Sequence, residues 1–407
     1  MTLRLYSSLG REVRDFQPIT PGQVSMYVCG VTPYDVTHLG HAFSYVQFDT
    51  LRRYLLSKGL KVRYVQNVTD IDDDMIMVSK REGGRPIAEI RDENDAIFRK
   101  DLDRLNVLRP SAYPFATDHI PEIIETTAKL IEKGHAYQVD GDVFFEAATF
   151  KRYGQLNGMS HEALGKLENP ESKRAHKKRG HLDFLLWQEV DPGDPSWPSP
   201  WGPGRPGWSI ECTAMSVKHL GTQIDIHGGG SDLIYPHHEN EIAQAESAYG
   251  TPQFCSHWLH NGMLQLDGVK MSKSLGNLVL ARVLLQSYEA DHLRMYLLSH
   301  QLRESANFVE GDLEKILGRY ERLKGAATSE AAGAAIPADS PLKREFEAAM
   351  DEDFRVPAAL QVLDAAAGRL NAGRSEPGDA STLRASLATL GFAFAGARGP
   401  ANGDLTP

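Results

Sequence analysis

The sequence predicts an α/β protein built on a parallel sheet that is interrupted by an insertion and followed by a helical bundle. Three observations carry this. An apolar, β-rich run at residues 26–32 (MYVCGVT) is followed by a helical pattern from His41 to Lys58 and a second strand-like run at residues 61–68 (KVRYVQNV). Strand, helix and strand in that order imply a βαβ unit and parallel pairing. A later strand-like run, Gln223 to Ile226, leads into Gly228-Gly229-Gly230 and a helical stretch from Pro236, so the sheet resumes after a gap. Beyond about residue 310 the texture is helical throughout.

Each element has a local reason. A turn containing Pro33 and Asp35 follows the first strand, Val46, Leu51 and Leu55 share one side of the first helix, and Gly59 supplies a stop. Residues 112–200 are mixed, with a helical segment from Pro121 to Lys133 and a Pro/Gly-rich exit, DPGDPSWPSPWGPGRPGW, that marks a junction. In the helical part, Pro357 suits a first helical position, and Leu360, Leu363, Ala367 and Leu370 recur at helical spacing. Residues 326–340 are Ala-rich and linker-like. The expected division is 1–111 and 201–310 for the two halves of the sheet domain, 112–200 for the insertion, 311–395 for the bundle and 396–407 for a disordered tail.

Composition narrows the class. The 407 residues are 41% hydrophobic and 24% charged, values of an ordinary globular protein. No stretch approaches the ~20 apolar residues of a membrane helix, and MTLRLYSSLGREV lacks a secretory layout. A cytoplasmic location, a monomer and no membrane partner are expected. Cys29, Cys212 and Cys255 are too few for a disulfide framework and read as buried residues or metal ligands. The net charge of −10 excludes a generally basic nucleic-acid binder, although a local basic face suffices for an RNA site. The densest basic run, residues 166–181, fits a solvated loop or a contact with RNA phosphates.

Two motifs suit a nucleotide. His38-Leu39-Gly40-His41 lies between the first strand and its helix, where imidazoles and free backbone N–H groups meet phosphate oxygens and a glycine admits close approach. Two histidines three apart are also a common surface pattern. Lys270-Met271-Ser272-Lys273-Ser274 puts two lysines on a small Ser/Gly loop, suited to a triphosphate whose charge shifts as pyrophosphate leaves, or to plain solvation. In this order, about 230 residues apart, they resemble the HIGH and KMSKS signatures of the class I aminoacyl-tRNA synthetases, with Leu39 in place of Ile. That resemblance implies a Rossmann-like catalytic domain.

A third constellation concerns metal. Cys29 ends the first strand, Cys212 lies in GWSIECTAM, and His237 and Glu241 share a face at i and i+4 in PHHENEIAQ. Two thiolates, an imidazole and a carboxylate suit zinc, but spacing does not choose between His237 and His238. The segments MYVCGVTPYD, NVTDIDDD, PSWPSPWGPGRPGW, IDIHGGGSDL, PHHENEIAQAE and KMSKSLGN resemble cysteinyl-tRNA synthetases, in family order over roughly residues 1–310. The resemblance implies one Zn2+ on Cys29, Cys212, His237 and Glu241, joined by the substrate thiolate. It implies a cysteine pocket with Cys29, Thr69, Trp208 and His227, Asp70 nearby, and an ATP site with His38, His41, Gly230, Asp232 and Lys273. His38, His41, Lys270 and Lys273 are the expected catalytic groups. Mg2+ with ATP, L-cysteine and tRNA(Cys) are the expected partners, and no editing domain is found.

The chain departs from the family at Phe43, more often Arg, and at Ser209, usually His. After the helical run at 345–371 the family continues into a small anticodon-binding domain, with no counterpart expected in GARGPANGDLTP. An alternative relative is the mycothiol-pathway ligase, which joins cysteine to the amine of glucosaminyl-inositol and also has a non-Arg residue at the Phe43 position. HHENEIAQAE and MSKSLGN favour the tRNA-charging family. A non-catalytic paralogue predicts a broken motif, and none is broken.

Overall fold

The structure is a computed structural model describing residues 2–34, 37–167, 172–271, 275–329, 335–337 and 339–396. Lys273 and the tail beyond Gly396 lie outside the described residues. A hairpin of β1 (Arg4–Ser7) and β2 (Glu12–Asp15) leads into β3 (Gln23–Val31), α1 (Leu39–Ser57) and β4 (Lys61–Val68). Helices α2 (Asp73–Arg81), α3 (Ile87–Arg104) and α4 (Ile120–Glu132) follow. Then come β5 (Ala136–Val139), β6 (Asp142–Phe145), the short α5 (His161–Leu164), β7 (Phe184–Glu189) and β8 (Gly204–Pro206). The chain returns through α6 (Trp208–Leu220), β9 (Ile224–Gly230), α7 (Glu239–Tyr249) and β10 (Cys255–Asn261).

The central sheet has the order β10-β9-β3-β4 and is parallel throughout. Its strands are buried on both faces, as parallel strands covered by helices must be. From β3 the chain crosses one way to β4; from β9 it crosses the other way to β10. The reversal lies between β3 and β9, where an open parallel sheet forms a crevice at its carboxyl ends. Cys29 and His227 stand at that edge.

The β3–β4 register slips between Val28 and Val31. Gly30 sits in the slip because a Cβ there would fall 1.6 Å from the Asn67 carbonyl oxygen. Asn67 Oδ1 instead accepts the Gly30 N–H at 2.8 Å, and Tyr45 Oη donates to the Cys29 carbonyl at 3.1 Å. The bulge thus anchors the backbone on both sides of the Cys29 side chain.

Strands β5 to β8 form a separate antiparallel sheet in sequence order. The Pro/Gly-rich exit read as a junction therefore contains an edge strand. Its glycines are steric requirements: a Cβ on Gly204 would meet the Gln188 carbonyl oxygen at 2.4 Å, and one on Gly207 the Leu185 oxygen at 2.2 Å. Past the central sheet, β11 (Leu264–Leu266), β12 (Val269–Lys270) and β13 (Ala306–Phe308) form a three-stranded sheet, with α8 (Ala281–Ser287) and α9 (Ala290–Leu298) between the last two. Helices α10 (Asp312–Ala327), α11 (Pro341–Asp351), α12 (Val356–Asn371) and α13 (Asp379–Thr389) close the chain, with α12 touching the other three. No helix of the described residues is long and apolar enough to cross a membrane.

Helix α1 joins the sheet to the bundle and is buried on almost every side. Its polar side chains are therefore satisfied internally. Asp49 pairs with Arg53 at 2.9 Å, accepts the Leu108 N–H at 2.8 Å and receives the buried Arg294, which also reaches the Leu390 and Leu105 carbonyls at 2.8 and 2.9 Å. Tyr54 Oη donates to Asp351 at 2.6 Å. Replacing Arg294 by Met leaves the Leu390 and Leu105 carbonyls unpaired and Asp49 with Arg53 as its one remaining cation, so unfolding free energy should fall by about 3–5 kcal/mol, measured by the urea midpoint.

Candidate active site and metal centre

Four donors converge where β3, α6 and α7 meet. Cys29 Sγ lies 3.8 Å from Cys212 Sγ, 3.7 Å from His237 Nε2 and 3.9 Å from Glu241 Oε1. His237 Nε2 lies 3.3 Å from Glu241 Oε1. All four residues are buried, and their donor atoms fall within 4.8 Å of one another. Such separations are the edges of a tetrahedron around a divalent ion with bonds of about 2.0–2.3 Å. The Tyr27 hydroxyl is buried beside this set, next to the Cys212 thiol. The donor set fits a metal ion.

A second quartet, Cys29, His227, His238 and Glu241, also satisfies the distance test. Its imidazoles already have protein partners. His227 Nε2 meets Glu241 Oε2 at 2.9 Å, and His238 Nδ1 meets His260 Nε2 at 2.7 Å, whose Nδ1 meets Ser8 Oγ at 2.7 Å. His227 also stacks on Trp258 with centroids 4.5 Å apart. His238 Nε2 also lies 3.2 Å from Cys29 Sγ, so both quartets can hold an ion; the first contains both thiols and leaves the His227–Glu241 contact intact.

Burial and close neighbours set the electrostatics of the cluster. Burial pushes the Cys29 thiol well up, reinforced by its neighbours Cys212 and Glu241. The hydrogen bond from Cys29 draws Cys212 down to about 6, against burial. Burial works against protonation of His237, but the adjacent Cys212 thiolate outweighs it and raises the group. Burial, with His227 and His260 close by, pushes His238 well below its ordinary value and keeps it neutral. A bound cation lets both thiols ionise together.

The remaining residues surround this centre. Trp208, half-exposed at the start of α6, places its ring 4.3 Å from that of His237 and forms an open wall. Thr69, buried at the end of β4, accepts from Asn67 Nδ2 at 3.2 Å. Asp70 is tied to Thr117, through N–H at 2.9 Å and Oγ1 at 2.6 Å, and to Arg91 at 3.1 Å. That occupies Asp70 in fastening the insertion to β4. Ser209 is buried and accepts from Gln244 Nε2 at 2.8 Å, while Gln244 Oε1 accepts from Thr213 at 2.5 Å. Phe43 is wholly buried in the core, edge-on to His300.

The H-x-G-H motif lies against described residues that flank the second motif. His38 caps α1, its Nδ1 accepting the His41 N–H at 3.3 Å, which puts a neutral ring's proton on Nε2 as a donor. The rings of His38 and His41 stack at 3.6 Å. Leu39 N–H donates to the Val279 carbonyl at 2.7 Å, and His38 bridges to Leu280, so the first motif is joined to the segment just after the second. Lys270 Nζ lies 3.9 Å from Asp232 Oδ2, over the Gly230 turn, and Asn277 Nδ2 closes the loop base on the Lys270 carbonyl at 3.2 Å.

Sequence reasoning missed Tyr27, Tyr45, Asn67, Trp258 and His260. The β3–β9 register, Tyr27 opposite His227, is the signal that places Tyr27 here, and pairing is not visible in either strand alone. The basic run at 166–181 is largely neutralised: Arg174 and Lys177 pair with the buried Asp142 at 3.3 and 2.8 Å, and Arg179 with Glu146 at 3.4 Å.

With the geometry in view, the likenesses are informative. The family described as "tRNA synthetases class I (C) catalytic domain" matches residues 15–317. A solved structure of Mycobacterium tuberculosis methionyl-tRNA synthetase bound by methionyl-adenylate aligns with TM-score 0.66 at 16% identity, covering 92% of this chain and 90% of that one. Fold and site therefore define a class I synthetase catalytic domain. A cysteine–tRNA ligase of Shewanella denitrificans is 44% identical over 391 residues, 95% of this chain and 84% of the relative. One from Cronobacter sakazakii is 43% identical, over 96% of this chain and 85% of the relative. The chain belongs to the cysteine–tRNA ligase family.

His227→Phe keeps an aromatic ring against Trp258 but removes the partner of Glu241. Affinity for a divalent ion should drop about 10-fold, read by competition with a chromogenic chelator.

Proposed function

We propose that the protein, a cytoplasmic monomer, activates L-cysteine with Mg-ATP and transfers it to tRNA(Cys). The observation that carries this reading is the buried Cys29–Cys212–His237–Glu241 quartet beside an H-x-G-H motif that meets residues flanking the second motif. These four residues would hold Zn2+, which when bound supplies a soft Lewis-acid contact that favours a thiolate over a hydroxyl. Apolar packing alone separates near-isosteres by only about 1–3 kcal/mol.

Trp208 walls the amino-acid pocket, Thr69 borders it, and His227 holds Glu241 in place. In the first step a cysteine carboxylate oxygen attacks the α-phosphorus of ATP, the bond to the β-phosphate breaks, and pyrophosphate leaves. His38 and His41 donate toward the phosphates at the start of α1, where the helix end favours an anion. Lys270 and Lys273 balance charge building on the leaving pyrophosphate, and Gly230 and Asp232 receive the ribose. Catalysis of this kind is positioning and charge stabilisation, with no enzyme nucleophile. In the second step the 2′-hydroxyl of the terminal adenosine of tRNA attacks the adenylate carbonyl, and AMP leaves.

Cysteine-dependent exchange of labelled pyrophosphate into ATP tests the first step; equal exchange with serine, or cysteine selectivity that survives metal removal, would defeat it. Lys270→Ala should lower the exchange kcat about 100-fold with little change in thermal midpoint. Acid-precipitable transfer of labelled cysteine to tRNA tests the second step, and transfer only to glucosaminyl-inositol would replace the acceptor.

A further inference from the structure

Helix α7 carries two of the four metal donors on or beside its first turn, and its other side is gripped by one turn of the insertion. Glu239 is completely buried, and its Oε2 accepts the N–H groups of Leu156 at 2.9 Å and Asn157 at 3.2 Å. The Gln155 N–H turns to the Arg152 carbonyl at 3.0 Å, so Leu156 and Asn157 supply the hydrogen bonds to the carboxylate, all of them to Oε2. Successive backbone N–H groups around one anion form a nest, a strong and directional hold. Tyr153 Oη donates to Asn240 Oδ1 at 2.5 Å, and Arg152 meets Glu246 Oε2 at 2.6 Å. Residues 152–157 therefore contact α7 at three places, while His237 and Glu241 face the thiols.

The need for such a hold is local. His237 and His238 lie on one wide helical turn, Ile234–His238, in which Tyr235 has extended dihedrals, so the regular helix does not itself fix their direction. Glu239 is the first residue of the regular helix. Gly154 completes the clamp: at φ +98°, its Cβ would meet the Met159 carbonyl oxygen at 2.4 Å.

We propose that Glu239 is a positioning residue, and that the insertion turn 152–157 sets the metal ligands, and with them cysteine selectivity, through it. This rests on the cysteine-activation reading. A ligand misplaced by about 1 Å loses much of its contribution, so the effect should fall on metal binding and on cysteine, not on ATP.

The test uses the full chain with Glu239→Gln, which keeps shape but removes the charge the nest binds, and Tyr153→Phe, which removes one hydroxyl. Zinc affinity is measured by chelator competition and KM values by pyrophosphate exchange. Glu239→Gln should lower zinc affinity about ten-fold and raise the cysteine KM, with the ATP KM unchanged; Tyr153→Phe should shift both in the same direction by less. Wild-type zinc affinity in folded variants would overturn the proposal. If Glu239→Gln does not fold, Tyr153→Phe alone decides. If the wild-type protein shows no cysteine-dependent exchange, the cysteine reading fails, while the zinc affinities still test the clamp.

Discussion

The pairing of β3 with β9 is the constraint on which the site depends. Only three residue pairs, Met26–Ile226, Tyr27–His227 and Val28–Gly228, make up this ladder. It joins chain segments about 200 residues apart, and closing so long a loop costs on the order of 5 kcal/mol in chain entropy. Burial on both faces supplies the compensation. The same register puts Cys29 and Glu241 within reach and places the switch-point crevice between them. A slip of one residue would turn Cys29 to the opposite face of the sheet.

Around that seam the protein keeps an unusual density of buried polar atoms. Cys29, Cys212, His227, His237, His238, Glu241 and His260 are all buried. An unpaired buried polar atom costs about 1–3 kcal/mol, and apart from His227 Nδ1 and His237 Nδ1 the imidazole nitrogens of this cluster meet partners. The partners come from distant places: Ser8 from the N-terminal hairpin, Trp258 and His260 from β10, Tyr45 from α1. The catalytic edge is thus rigid through hydrogen bonds and ring contacts more than through aliphatic packing.

What could be read in sequence followed periodicity and local chemistry. β4 spans Lys61–Val68 as predicted, β3 and α1 differ by a few residues at their ends, and Pro357 lies in the first turn of α12. Illegible features were those set by distant partners. α1 was read with one apolar side, yet it is buried nearly all round, because Arg294, Asp351 and the Leu108 N–H satisfy its polar groups. Two cations of the basic run, Arg174 and Lys177, pair with Asp142, more than thirty residues upstream. His237 and His238 stayed ambiguous because both are buried on a turn that is not a regular α-helix.

Phe43 and Ser209, expected from the sequence to depart from the family, are both accommodated by packing. Phe43 points into the core, edge-on to His300, and belongs to the bundle-facing side of α1. Ser209 faces Gln244, whose two amide atoms serve Ser209 and Thr213 on α6. That amide fastens α6, which carries Cys212, to α7, which carries Glu241, so the contact at Ser209 spans two helices that supply metal donors. An ion held by these donors would link its binding to the fold of this region. A cation that binds only the folded arrangement shifts the folding equilibrium by its own binding free energy. The donor set that would select a thiol is therefore also a fastening between β3, α6 and α7.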